Sequence, residues 1–112
     1  MQSFQASEVF VLGSTDQCEG WIVFRWPDVE NEWECLQIDF DGHCSRRMPI
    51  LSGFRLSDIA LTRHHVQVMF SAELSDKLGL ERVIQIAFRL SDEAFAQLQS
   101  GVNCITWPAS AV

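Results

Sequence analysis

The residues best able to do chemistry gather around one short segment. His43 and Cys44 follow Asp41, with Cys35 upstream and the pair His64–His65 downstream. A Cys–His nucleophile needs both side chains within hydrogen-bond reach and a third group to orient the imidazole. Neighbours on a strand point to opposite faces, so adjacency argues against a His43–Cys44 dyad. Whether Cys44 meets His64 or His65 is a tertiary question. The same residues are the candidates for a metal site, although His64–His65 also read as the polar tip of a hairpin. Asp39-Phe40-Asp41-Gly42 opens like a calcium loop, but position twelve, which must supply a bidentate Glu, is Ile50. There is no Gly-rich phosphate loop, G-x-S-x-G elbow or H-E-x-x-H helix. The expectation is a protein without catalytic residues, metal or cofactor.

The carboxylates are more informative as a surface. Four acids, Asp28, Glu30, Glu32 and Glu34, surround Trp33 in what reads as an exposed loop and strand start. A general acid needs a desolvated pocket to shift its pKa, which an exposed loop does not offer. A tryptophan ringed by acids instead suits an interface that grips a basic partner. The chain carries 15 acids against 8 Lys and Arg, a formal charge of −7. Nine acids and a single base, Arg25, fall in residues 1–45, whereas 46–112 hold six acids and seven bases. Such asymmetry steers a basic partner and disfavours nucleic acid.

Four cysteines at 18, 35, 44 and 104 include no C-x-x-C, and their spacing is too wide for a zinc site. The N-terminus lacks a basic start and an apolar run, and no stretch approaches the length of a membrane span. The cysteines are therefore expected to be reduced and buried in a cytoplasmic protein without membrane contact.

What must position these residues is a strand-rich chain. Residues 8–13 and 20–26 read as strands, the second aromatic on both faces, so that Trp21, Trp26 and Trp33 cannot be assigned to inside or outside. Pro27 is expected to end that second strand. Over 32–40, Leu36, Ile38 and Phe40 alternate with Cys35, Gln37 and Asp39, the signature of a half-buried strand pairing back as a hairpin. Residues 41–53 read as a long loop with a short extended piece at 48–51, and the pair Arg46–Arg47 as solvated. Strands follow at 54–61, with a bulge at Ser57–Asp58, and at 66–70. A helical turn within 71–80 is capped by Gly79, and 81–90 reads as a strand. Ser91 then caps a helix over 91–104, with Phe95, Leu98, Val102 and Ile105 on one stripe and Gly101 weakening its last turn. The expected fold is α+β: one domain over 1–112, mainly an antiparallel sheet of five to seven strands, with the C-terminal amphipathic helix packed on one face.

The cadences F-R-L-S-D-I-A-L (54–61), V-Q-V-M-F (66–70), L-G-L-E-R-V-I-Q-I-A-F (78–88) and L-S-D-E-A-F-A-Q-L (90–98) resemble the Immunity protein 10 family, small bacterial proteins encoded beside polymorphic toxins. The segment C-L-Q-I-D-F-D (35–41) looks like that family's central strand and acidic turn; residues 41–53 depart from its Gly- and Tyr-rich segment. The resemblance implies a non-enzymatic binding protein that occludes the active surface of a cognate, basic toxin domain. The surface expected to do so is the acidic hairpin and the loop after it: Asp28, Glu30, Glu32, Trp33, Glu34, Asp39, Asp41, His43, Arg46 and Arg47. Two other readings stay open: a small thiol- or metal-dependent enzyme built on Cys44, and a homodimer or larger homo-oligomer pairing through a sheet edge.

Overall fold

The computed structural model describes residues 1–28, 32–46 and 55–110, with side chains for all of these except 28, 32, 33 and 106–110. Period-2 alternation decides most of the architecture. On β3 (Glu19–Asp28), Ile22, Phe24 and Trp26 are buried while Trp21, Val23 and Arg25 face outward. β4 (Glu32–Asp39) pairs antiparallel with it, Ile22 opposite Ile38 and Phe24 opposite Leu36, so two apolar rows fuse into one face. β2 (Glu8–Ser14) extends the sheet on one side and the short β5 (Cys44–Arg46) on the other, in the order β2-β3-β4-β5. Gly13 (φ +95°) and Gly20 (φ +147°) lie opposite each other where β2 turns into β3, and a Cβ on either would strike the facing backbone.

A second four-stranded sheet runs β1-β8-β7-β6, from β1 (Gln2–Gln5), β6 (Asp58–Leu61), β7 (His65–Met69) and β8 (Val83–Ala87). Its pairs are antiparallel except β1 with β8, which is parallel. Helix α1 (Ala72–Leu78) starts where Leu74 N–H donates to Ser71 Oγ at 3.2 Å and stops at Gly79 in the left-handed region. Helix α2 (Asp92–Ser110) is capped by Ser91, whose hydroxyl accepts from Ala94 N–H at 3.2 Å. It lies against β6 of one sheet and β2 and β3 of the other. Leu98, Val102 and Ile105 enter the core that Ile22, Phe24, Ile38, Phe40, Val66, Val68, Ile84 and Ile86 build.

The expected α+β fold is present, with eight strands in two sheets among the described residues rather than five to seven in one. β1 was not anticipated, because Gln-Ser-Phe-Gln offers one apolar residue; Phe4 earns the strand its place by stacking on Trp26, ring centroids 4.5 Å apart. β3 does not end at Pro27 but runs to Asp28. β5 lies inside the expected long loop, and of the strand expected over 54–61 the described residues form β6 over Asp58–Leu61, with an isolated bridge at Arg55. The extended piece at 48–51 lies outside the described residues. Gly101 does more than weaken α2: a Cβ there would sit 3.1 Å from Ile22 Cδ1 and Phe40 Cε1, so glycine sets how closely the helix approaches the sheet.

Candidate functional site: the outer face of the β2–β5 sheet

Because β2 to β5 are consecutive in sequence, the acidic N-terminal stretch becomes one sheet rather than being scattered. The residues opposite one another on its outward side form three rows. Leu12, Trp21 and Asp39 make the first, Phe10, Val23 and Gln37 the second, and Glu8, Arg25 and Cys35 the third. Phe10, Leu12 and Trp21 are 40%, 43% and 39% exposed, a contiguous apolar strip open to solvent. In the third row Arg25 Nη1 lies 3.7 Å from Glu8 Oε1, which closes that end with an ion pair. The other end is acidic: Asp16 and Glu19 are exposed beside the β2–β3 turn.

Asp39, Asp41 and His43 form a tight corner next to Trp21. Asp39 Oδ1 accepts from Asp41 N–H at 3.0 Å and His43 N–H at 2.9 Å, and Oδ2 lies 3.3 Å from His43 Nδ1. The ligand atoms of all three lie within 4.8 Å of one another. This arrangement closes the turn out of β4, and Arg55 Nε–H donates to the Asp41 carbonyl, placing a cation beside the acids. It is a hydrogen-bonded turn, with no second feature that would mark a cation site.

Cys44 points the other way, as strand alternation requires. It is fully buried, its Sγ 3.5 Å from Gly42 O, and burial pushes its thiol up to about 12 from an ordinary 9.0, with Asp39 adding in the same direction and the Leu56 amide and Arg55 opposing. A thiol held protonated in this way is a poor nucleophile. His64 is exposed, and His65 Nδ1 lies 3.2 Å from Thr62 Oγ1 in the β6–β7 turn. Among the described residues neither histidine joins Cys44 in a metal-ligand cluster.

Two expected interface residues belong to the interior. Glu34 is not on an exposed loop; it is 1% exposed, because it continues the inward row Leu36, Ile38, Phe40 by one step of two. Arg46 is not solvated. Its Nε lies 3.1 Å from Glu34 Oε1, and its Nη1–H donates to the carbonyls of Leu78 and Gly79 at 3.0 and 3.1 Å, at the end of α1. The pair ties the β2–β5 sheet to that helix. Asp28, Glu32 and Trp33 sit by their backbones at the facing ends of β3 and β4, Asp28 opposite Glu32 and Trp33 opposite Pro27. Glu30 and Arg47 lie outside the described residues. The exposed strip itself, Phe10, Leu12 and Trp21, was missed. Its signal was the double-sided aromatic pattern of 20–26, whose outward half needed the β4 register to be recognised.

The cysteines require a further correction. They are not all reduced: Cys18 and Cys104 form a disulfide across 86 positions, Cα–Cα 5.4 Å, while Cys35 and Cys44 are free. The bond removes the cysteine argument for a reducing compartment. Among the described residues no helix is long and apolar enough to cross a membrane.

The chain matches no protein-family model, no curated protein and no solved structure.

Proposed function

We propose that this protein is a non-enzymatic binding protein that neutralises a cognate bacterial toxin domain in the cytoplasm by covering that domain's active surface. The observation that carries the reading is the strip of Phe10, Leu12 and Trp21 left open on the most acidic sheet of the molecule. Solvent-facing aromatic and aliphatic side chains grouped on a flat sheet and rimmed by acids suit a protein partner with a basic, partly apolar surface. The Immunity protein 10 cadences of 54–98 support the same class of partner. They fall largely on β6, β7, β8 and the start of α2, which underlie the face rather than form it. The acidic corner Asp39–Asp41 would set the encounter rate and Trp21 the dissociation rate.

The test is expression of the C-terminal domain encoded immediately upstream of this gene, with and without the protein. Growth arrest relieved by the wild type, and not by Trp21→Gln, is the expected result. Asp39→Asn with Asp41→Asn should slow association several-fold and flatten its salt dependence, asparagine keeping an acceptor oxygen for the turn. Arrest that the protein leaves untouched overturns the pairing. A homo-oligomer using the same strip would reveal itself by light scattering, as a mass that falls on dilution.

A further inference from the structure

The Cys18–Cys104 bond differs from a buried structural staple in where it lies. Cys18 is exposed in the turn between β2 and β3, and its backbone has φ +52°, the left-handed region that a side chain makes unfavourable. Cys104, on α2, is 4% exposed. Beside the bond an open groove of about 420 Å³ is lined by Thr15, Cys18, Ser100, Asn103 and Cys104. That volume is in the range of small-molecule sites, and its lining offers a hydroxyl pair and an amide around the two sulfurs.

We propose that this groove is a thiol–disulfide exchange site, which takes a low-molecular-weight thiol of the glutathione class and directs it to Cys18. The chemistry needs nothing further from the protein. The incoming thiolate forms a bond to Cys18 Sγ as the Sγ–Sγ bond breaks. The electron pair leaves on Cys104, which takes a proton from solvent. A second thiol then displaces Cys18, so that two thiols become one disulfide and the protein gains two electrons and two protons. Attack at Cys18 is favoured by access, since it is the outer sulfur. The chain holds no thiol placed to compete. Cys44 is buried, and Cys35 sits in the row of Arg25, about 17 Å along the strand from the turn. Exposed, locally strained disulfides are the exchangeable ones, and buried ones resist reduction.

Opening the bond releases the covalent tie between the turn and the C-terminal half of α2, leaving that half to noncovalent contacts such as the packing of Val102 and Ile105. The chemistry follows from the groove and does not depend on the identity of the binding partner. Native wild-type protein is incubated with reduced glutathione at neutral pH, quenched by alkylation and mapped by mass spectrometry, with hydrogen exchange followed on the same samples. Expected are a rate proportional to glutathione concentration and a transient adduct on Cys18. Full reduction should accelerate amide exchange in 98–105 at least tenfold, while β3 and β4 amides stay protected. A rate independent of glutathione concentration, an adduct on Cys104, or unchanged exchange in α2 would each overturn the proposal.

Discussion

Replacing both disulfide cysteines, Cys18→Ser with Cys104→Ser, should lower stability without changing the fold. The bond closes a loop spanning 86 positions, most of the chain. Chain entropy for a loop of that size gives about 4.5 kcal/mol, and measured cross-links more often deliver 2–4. Unfolding entropy near 2.1 cal/mol/K per residue, taken over 112 residues, is about 0.24 kcal/mol/K. A loss of 2–4.5 kcal/mol therefore moves Tm down by roughly 8–19 °C. Calorimetry of the double variant checks this, and wild type scanned in excess reductant should melt at the variant's temperature. Thiol titration of denatured but unreduced protein should count two free cysteines, Cys35 and Cys44. A shift under about 3 °C, or four reactive thiols in denatured but unreduced protein, would refute the reasoning.

Arg46→Met should destabilise the fold by about 3–5 kcal/mol, because it removes the guanidinium 3.1 Å from the buried Glu34 carboxylate, and Glu34→Gln in the same background should recover part of the loss in urea titrations. Gly101→Leu should destabilise by at least about 2 kcal/mol, since the helix would be forced off Ile22 and Phe40; Gly101→Ala should cost far less, its gain in helix propensity of about 1 kcal/mol offsetting the tighter contact. Cys44 should resist iodoacetamide at pH 8 in native protein and react only on unfolding, long after Cys35. Its thiol titrates near 9.0 in the unfolded chain and about 12 in the folded one, so the stability it contributes is complete below pH 9 and is lost as pH rises from there towards 12. Cys44→Ala should consequently lose stability less steeply than wild type between those values.

Much of the fold was written in local pattern. The hairpin of β3 and β4 was legible because Leu36, Ile38 and Phe40 alternate, and α2 because Ser91 and the stripe from Phe95 to Ile105 mark its start and its face. The proposed binding surface was not legible, for a reason that Glu34 and Trp21 share. Each was judged by its chemical type, the acid as exposed and the tryptophan as undecidable, when the parity of its strand settles the matter. Counting back by two from Leu36 puts Glu34 inside, and counting back by five from Trp26 puts Trp21 outside. The partner that makes a buried acid tolerable, Arg46, lies on a different strand, so only tertiary structure could supply it. The disulfide was hidden differently. Four cysteines allow three full pairings, and a separation of 86 positions leaves no local trace of the one formed.

The placement of these two long-range links bears on how the open face could bind tightly. A flat sheet surface that must order itself on contact loses affinity to that ordering, whereas a rigid one does not. Here the β2–β5 sheet is held at both ends from behind. The Glu34–Arg46 pair fastens β4 and β5 to the end of α1, and the Cys18–Cys104 bond fastens the β2–β3 turn to α2. Between those anchors Phe10, Leu12 and Trp21 project from strands whose other faces are core. The strip is therefore preorganised by interactions that never touch a partner. Arg46→Met and reduction of the disulfide should then weaken partner binding while leaving every residue of the face in place. They should do so chiefly through slower productive docking and faster release, because the cost of ordering the sheet returns to the binding step. Equal affinity for the oxidised and reduced protein, measured by calorimetric titration under conditions where both are folded, would show that the face is rigid by its own strand pairing and owes nothing to the anchors.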